Sequence, residues 1–203
     1  RGWWLDGHLK MAETIVRDGL QIEGRITKLV PFAEVHLAAP RYLEWLRDRD
    51  VVRSLNLPAY VERPVAAETV EAYCNAITES DNDLLLAIHA KPDDSFIGTI
   101  KAGHIDWYAR IGDIGIMIGD RAYWGRGIAQ DSIFALCRYL FDEVALRKLT
   151  AGAMATNVAM IKVFEKLGFQ HEAKLRAQDW QEDGGYCDHV LLGCFRQELR
   201  RPQ

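Results

Sequence analysis

A glycine-rich stretch in front of a helical pattern is the part of this sequence best suited to chemistry. Residues 124–129 read Trp-Gly-Arg-Gly-Ile-Ala, and apolar residues at helical spacing continue from Ile128 to Leu140. The first turn of a helix has unpaired N–H groups and the positive end of the helix dipole. Glycines there let an anion approach the backbone without a side chain in the way. The stretch therefore predicts a phosphate or pyrophosphate site, with a plain tight turn as the alternative.

The residues around these glycines narrow the choice of ligand. Ile114, Ile116 and Ile118 alternate on one face, which predicts a strand, and Gly119 begins a turn after it. The resulting order is strand, glycine-rich loop, helix. A P-loop would end in Gly-Lys-Ser/Thr, and the dinucleotide fingerprint would have a third glycine where this chain has Gln130. The loop matches neither of these common nucleotide patterns.

Composition and charge exclude several classes of protein. The chain has 203 residues, of which 49% are hydrophobic and 27% charged, and this suits one globular core. Its net charge of -4 gives no basic excess for binding nucleic acid. The four cysteines show no zinc-ligand spacing, and no apolar run approaches the roughly 20 residues that span a bilayer. We therefore expect a cytoplasmic protein with reduced, buried thiols, no metal, and neither a membrane nor a nucleic-acid partner.

Periodicity along the rest of the chain predicts an α+β fold, a mixed sheet with helices on its faces. The predicted order is β-α-α-β-β-β-α-β-α-β-β. Residues 55–64 have two prolines and no clear period, which makes them a candidate for shaping a substrate opening. The expected divisions are an N-terminal extension at 1–21, a single domain at 22–199 and a tail at 200–203. The predicted elements are strands at 26–32, 84–89, 96–105, from 113, 148–153, 172–180 and 186–195, and helices near 40–46, 66–78, 128–140 and 157–167.

Two motifs in the predicted order give the chain a resemblance to a known family. The first is Tyr-Trp-Gly-Arg-Gly-Ile-Ala at 123–129, and the second is residues 157–169, which end in Phe-Glu-Lys-Leu-Gly-Phe. Together they resemble the GNAT superfamily of acyl-CoA-dependent N-acetyltransferases, and most of all the branch of ribosomal-protein N-terminal acetyltransferases and their amino-sugar and small-molecule relatives. The match covers about residues 25–199. It implies a GNAT-like fold, acetyl-CoA as cosubstrate and no metal.

The resemblance also implies where acetyl-CoA binds. Gly127 and Ala129 fill two fixed positions of the family's pyrophosphate loop, while Trp124 replaces its polar first residue. The preceding strand would pair with the pantetheine arm, and a backbone amide near Met117 or Ile118 would polarise the thioester carbonyl. A side chain at the start of the later helix would face the thioester. The predicted cofactor-binding residues are Ile116, Met117, Ile118, Trp124, Gly125, Arg126, Gly127, Ile128, Ala129, Asn157 and Phe164.

Proton transfer is the step for which the sequence leaves alternatives open. The resemblance places Asp113 where relatives often have a glutamate base, and an exposed carboxylate at a strand end is the alternative. His104 could face the same opening or be structural, and Asn157 could face the thioester or cap its helix. These three are the predicted catalytic residues. Relatives use a tyrosine or a serine as acid, where this chain has Phe164 and Met160.

The missing acids keep two classes of function open. In the first, an N-acetyltransferase moves an acetyl group to a primary amine, and water, Tyr123, Tyr139 or Cys137 protonates the thiolate, or transfer is impaired. The predicted acceptor is a small molecule such as an amino sugar or polyamine, because residues 183–193 resemble the hairpin of metabolite-acetylating relatives. A peptide N-terminus is the alternative acceptor. In the second class the chain is a non-catalytic acyl-CoA-binding sensor. A monomer or homodimer suits either interpretation.

Overall fold

Alternating apolar residues and short turns build one eight-stranded sheet at the centre of the molecule. The computed structural model describes residues 17–55, 57–91 and 93–202. The strands are β1 (Ile22–Glu23), β2 (Thr27–Pro31), β3 (Leu84–Ala90), β4 (Ser95–Asp106), β5 (Ile111–Ile118), β6 (Lys148–Met154), β7 (Gln170–Trp180) and β8 (Tyr186–Phe195). Their spatial order is β1-β2-β3-β4-β5-β6-β8-β7. Every neighbouring pair is antiparallel except β5 and β6.

Helices cover both faces of this sheet. They are α1 (Glu34–Leu37), α2 (Pro40–Arg47), α3 (Arg49–Arg53), α4 (Pro58–Glu62), α5 (Ala67–Thr78), α6 (Ile128–Asp142) and α7 (Val158–Lys166). Both α2 and α4 begin with proline, whose fixed φ and missing N–H suit a first helical position. The helices α6 and α7 pack with one apolar core, and α2, α3 and α5 pack with a second core on the opposite face.

Strand alternation assigns each residue near the centre of the sheet to one of these faces. In β6, Leu149, Ala151 and Ala153 belong to the core with α6 and α7. Thr150 and Gly152 therefore point to the face covered by α1–α5. The same alternation in β5 and β8 places Met117 in the second core and Val190 in the first. Odd-numbered residues of β5 and β8, and even-numbered residues of β6, thus share the α1–α5 face.

The predicted fold class is confirmed, and so are the long elements. Each predicted strand and helix is present within a few residues of its expected bounds. The predicted order is incomplete because β1, α1, α3 and α4 have only two to five residues, too few for a periodic pattern. The cysteines are free, and Cys74, Cys137 and Cys194 are buried as predicted, whereas Cys187 is only partly buried. No helix among the described residues is long and apolar enough to cross a bilayer.

The described residues include only the last part of the predicted N-terminal extension. Residues 1–16 lie outside the described residues. From residue 17 the chain is attached to the body, since the Arg17 guanidinium donates to the carbonyl oxygen of Asp83 at 2.6 Å and also to that of Ser80. At the other end, the Arg200 N–H donates to the Leu167 carbonyl at 2.9 Å. The chain on both sides of the predicted domain boundaries therefore contacts the domain.

Candidate active site

The point where β5 and β6 separate opens a cleft in the sheet. Their parallel pairing ends at Asp113 and Thr150, so the edge of β5 beyond that pair has no β6 partner. A cavity of about 340 Å³ occupies the gap. It is lined by residues of β5, β6, β8 and α7, among them Asp113, Ile116, Gly152, Asn157, Phe164 and His189. The cleft therefore brings together the predicted base, several of the predicted cofactor contacts and the helix α7.

Asp113 lies half-buried at the base of this cleft. Thr150 Oγ1 donates a hydrogen bond of 2.8 Å to its Oδ1. Burial raises the pKa of Asp113 above its usual value near 3.8, while the Thr150 hydrogen bond and the charges of Lys101, His104 and His189 oppose that rise. The side chain is therefore an oriented carboxylate of increased basicity, rather than the exposed strand-end group of the alternative interpretation. It is positioned to accept a proton in the cleft.

Asn157 connects α7 to the opposite wall. Its Oδ1 accepts the Met160 N–H at 3.2 Å, which makes it the N-cap of α7. Its Nδ2 donates to the Ser54 carbonyl at 3.3 Å, across the cleft. The capping role is therefore confirmed. Because the side chain also lines the cavity, a role at the thioester stays a prediction that its position supports.

The residues predicted to bind an anion lie next to one another in the chain. Gly125 and Gly127 have φ angles of 72° and 79°, the left-handed region that favours glycine. Gly127 is the N-cap of α6 and makes no side-chain cap. At both glycines, no described atom lies within 4 Å of the position of a Cβ. The N–H groups of the first turn are therefore open to an anion, and this cradle fits the pyrophosphate of acetyl-CoA.

The backbone of β5 faces the cleft at every second residue. The Gly119 N–H donates to the Ile97 carbonyl at 3.0 Å, and the register with β4 continues this pairing to Met117. Odd-numbered residues of β5 therefore bond to β4, and Ile116 and Ile118 direct their N–H and C=O groups toward the cleft. Of the two amides predicted to polarise the thioester carbonyl, the amide of Ile118 is the one that faces the opening.

Side chains connect the glycine loop to this strand. Trp124 Nε1 donates to the Ile118 carbonyl at 2.8 Å. The Arg121 guanidinium lies 5.7 Å from the centre of the Trp124 ring, and that of Arg126 lies 5.7 Å from the centre of the Tyr123 ring. Trp124 therefore has a structural role at the position where the family pattern has a polar residue, and two cations border the cradle.

A second, larger cavity of about 680 Å³ adjoins the cleft. The two share Ser54, Met154 and Asn157. Its walls are α3, α4, the end of β6 and the hairpin between β7 and β8, so the segment predicted to shape a substrate opening does line it. The charged side chains in its lining are Asp50, Arg53, Glu182 and Asp183.

A polar pair on the β8 side of the cleft is not among the residues predicted from the sequence. His189 lines the cavity, and its Nδ1 lies 2.6 Å from Oδ2 of Asp179, whose side chain is 4% exposed. Alternation along β8, with Val190 and Leu192 in the core, does predict that His189 faces the other side. The pairing of β8 with β6 brings it to the cleft, and that pairing has no local sequence signal.

Other residues considered for proton transfer lie outside the cleft lining. His104 is exposed on a bulge of β4 with a φ of 52°, and it reaches Asp113 only through its charge. Cys137 is fully buried, and Tyr139 borders a separate cavity beside residues 21–25. Tyr123 belongs to the glycine loop. Among the described residues, no group of three or more His, Cys, Asp or Glu side chains could hold a metal ion.

Solved structures of acetyltransferases share this architecture. RimL, an alpha-N-protein acetyltransferase in complex with coenzyme A, aligns with a TM-score of 0.74 and 19% identity, over 87% of this chain and 98% of its own. A spermidine N-acetyltransferase from Vibrio cholerae, in complex with CoA and spermine, also aligns with a TM-score of 0.74, at 18% identity over 85% of this chain and 96% of its own. The molecule therefore has the acyl-CoA N-acyltransferase fold.

Sequence comparison then assigns the family. Residues 27–170 match the acetyltransferase (GNAT) domain. The probable N-acetyltransferase YjcK of Bacillus subtilis (strain 168) is 30% identical over an alignment of 131 residues, and the match covers 61% of this chain and 71% of that protein. The chain belongs to the GNAT family and is an acetyl-CoA-dependent N-acetyltransferase. The predicted family and enzyme class are confirmed, in favour of the catalytic interpretation and against the sensor.

Proposed function

We propose that this enzyme acetylates the primary amine of a small cationic molecule, in the cytoplasm. The observation that carries the proposal is the cavity of about 680 Å³ that adjoins the cleft. Its volume lies within the range of roughly 300–1,000 Å³ that is usual for small-molecule sites. Three carboxylates and one guanidinium line it, and the carboxylate that has no ion pair among the described residues favours an ammonium group over an anion.

Two of the three carboxylates in the lining form ion pairs, which leaves one to bind the acceptor. Arg121 pairs with Asp50 at 2.7 Å, and Arg49 pairs with Glu182. Asp183 has no ion pair among the described residues, and its Oδ1 accepts only the Gly185 N–H in the hairpin turn. Its negative charge is therefore the least compensated in the cavity. We propose Asp183 as the group that attracts the cationic acceptor.

The cleft residues then divide the work of transfer. Acetyl-CoA brings an activated acetyl thioester. The first-turn N–H groups of α6 hold its pyrophosphate, and the Ile118 N–H donates to the carbonyl oxygen, where charge develops. Asp113 accepts the proton that the ammonium group must lose before it can attack. Asn157 keeps the start of α7 against the Ser54 wall, and His104 tunes Asp113 through its charge.

A panel of acceptors tests the proposal. Release of CoA thiol would be measured with spermidine, glucosamine, free amino acids and a peptide with a free N-terminal alanine. We expect turnover with a small amine, and a KM for that amine about tenfold higher in Asp183→Asn, with the KM of acetyl-CoA unchanged. Asp142→Asn, which changes a carboxylate outside both site cavities, is the matched control. Turnover of the peptide alone would replace the small-molecule acceptor with a protein N-terminus.

A further inference from the structure

Few side chains in the lining of the cleft can accept or donate a proton. Of the residues that line it, Asp113 and His189 are the two with ionisable side chains. The helix α7 contributes Met160 and Phe164, which have no proton to give. The acceptor nitrogen must lose two protons during transfer, and the sulfur must gain one. Asp113 accounts for the first of these protons, and the other proton movement needs a second group.

His189 is oriented by a buried carboxylate. Its Nδ1 lies 2.6 Å from Oδ2 of Asp179, and the two side chains are 19% and 4% exposed. Because a carboxylate accepts hydrogen bonds, this contact assigns the imidazole proton to Nδ1. The other ring nitrogen, Nε2, then carries a lone pair. This is the arrangement in which a carboxylate holds a histidine ready to accept and return a proton.

The free nitrogen of His189 lies against Gly152 in the wall of the cleft. A Cβ on Gly152 would lie 2.3 Å from Nε2, so the ring covers a glycine that itself lines the cavity. Among the described residues, Nε2 has no hydrogen-bond partner. Strand alternation places His189 on the same face as Asp113 and Thr150, and its charge reaches Asp113. The two groups therefore border the same reaction space from β5 and β8.

We propose that His189 relays a proton from the attacking nitrogen to the departing thiolate, with Asp179 as its positioning residue. The proposal rests on the proposed acetyl transfer. Asp113 takes the first proton from the ammonium group, and the free amine forms the C–N bond. His189 Nε2 takes the second proton from that nitrogen and, as the C–S bond breaks, gives it to the sulfur. His189 returns to its neutral form, and Asp113 releases its proton to water, so atoms and charges balance.

The charged groups around His189 define which control variants its test needs. Asp179 on β7 contacts it directly, and Asp113 faces it from β5. Lys101 and His104 on β4 act through Asp113, and the α3 side contributes Asp50 and Arg53 across the adjoining cavity. A change in a pH profile is therefore assigned to His189 only when a variant of His189 or Asp179 produces it in addition to the limb that Asp113→Asn removes.

Kinetics with the acceptor from the panel provide the first test. We expect His189→Gln to lower kcat about 100-fold and Asp179→Asn about tenfold, with the Kd of acetyl-CoA within about twofold of wild type. The kcat profiles of both variants should also lose a pH dependence that Asp113→Asn retains. Gly152→Ala keeps every titratable group but displaces the ring, and it should also lower kcat. His171→Gln, an exposed histidine outside the cleft, is the control. A His189→Gln enzyme with wild-type kcat and pH profile would overturn the relay.

Nuclear magnetic resonance of the imidazole nitrogens tests the relay without an acceptor. At neutral pH we expect His189 to carry its proton on Nδ1, and Asp179→Asn to move it toward Nε2. Binding of CoA should shift the Nε2 signal. If the wild-type enzyme turns over no amine, the proposed function is wrong. The spectra still test whether His189 has the protonation and the contact with CoA that the relay requires. A proton on Nε2 in the wild type, or a His189 signal indifferent to CoA, would refute it.

Discussion

The glycine loop and the proton-handling groups of the cleft are built in opposite ways. The loop takes its geometry from consecutive residues, because the left-handed φ angles of Gly125 and Gly127 open the first turn of α6. The cleft instead assembles Asp113 from β5, Thr150 from β6 and His189 from β8, which are separated by up to 76 positions in the chain and brought together by strand register. The glycine loop would therefore bind its ligand with backbone N–H groups, whereas the cleft would act on the acceptor with side chains.

This difference predicts that the two regions fail in different ways. A backbone cradle is lost when a side chain enters it, and the loss appears in acetyl-CoA affinity. A side-chain group is lost when its titrating atom is removed, and the loss appears in kcat with affinity intact. Substitutions in the two regions should therefore separate binding from rate.

The largest effect is expected in the loop. Gly127→Glu places a side chain and a like charge where the pyrophosphate would bind, and it forces a non-glycine residue to a φ of 79°. Loss of about two charge-assisted hydrogen bonds corresponds to roughly 4 kcal/mol, or about 1,000-fold in the Kd of acetyl-CoA by calorimetry. Gly19→Glu is a matched control, because Gly19 also has a positive φ and open space around it. Equal affinities for the two variants would remove the loop from the site.

The next effect is expected at Asp113. Asp113→Asn keeps the size of the side chain but cannot take a proton, so kcat should fall about 100-fold with little change in acetyl-CoA affinity. In wild type the rate should decline as pH falls through the raised pKa of Asp113, and this limb should be absent in the variant. Thr150→Val removes a hydrogen bond that lowers this pKa, and should move the limb to higher pH. A limb unchanged in both variants would exclude Asp113 as the base.

A histidine pair outside the glycine loop and the cleft lining limits how low the pH can be taken in these profiles. Ala33 N–H donates to His36 Nδ1 at 3.0 Å, and His36 Nε2 lies 3.1 Å from His89 Nε2. Because Nδ1 is an acceptor, Nε2 of His36 carries the proton and donates to His89. Burial, and then the charge of His89, lower the pKa of His36 to about 4. The folded protein therefore holds His36 neutral while the unfolded chain takes up a proton.

Stability should consequently fall in acid. Since the unfolded chain binds more protons between pH about 4 and about 6.5, the free energy of unfolding declines as pH falls through that window. We expect a loss of about 1 kcal/mol between about pH 7 and about pH 5.5, measured by urea unfolding. His36→Asn should flatten this dependence, whereas the exposed His171→Gln should keep it. The same slope in His36→Asn would assign the acid sensitivity to another group.

The contrast between the regions also explains what the sequence could predict. The glycine loop, the strand before it and α7 follow from local patterns, and the structure has them where they were expected. The resemblance to the family predicts Asp113, because relatives often have a glutamate at this position. The separation of β5 and β6, which places Asp113 in the cleft, has no local pattern in the sequence. A role for His189 cannot be predicted from local sequence, because its partner Asp179 and its neighbour Gly152 lie on other strands. Register is decided by the packing of the whole sheet, which periodicity does not report.

Trp124 is where the two regions meet, and it should show the smallest effect. Its Nε1 donates to the Ile118 carbonyl, so the side chain links the loop to the strand that faces the cleft. Trp124→Phe keeps the aromatic ring near Arg121 but removes this hydrogen bond, worth about 0.5–1 kcal/mol at a position 41% exposed. Both the Kd of acetyl-CoA and kcat should change by about threefold, in contrast to the one-sided losses at Gly127 and Asp113. If the Kd of acetyl-CoA changes and kcat does not, Trp124 contributes to cofactor binding by the loop and not to the position of the strand.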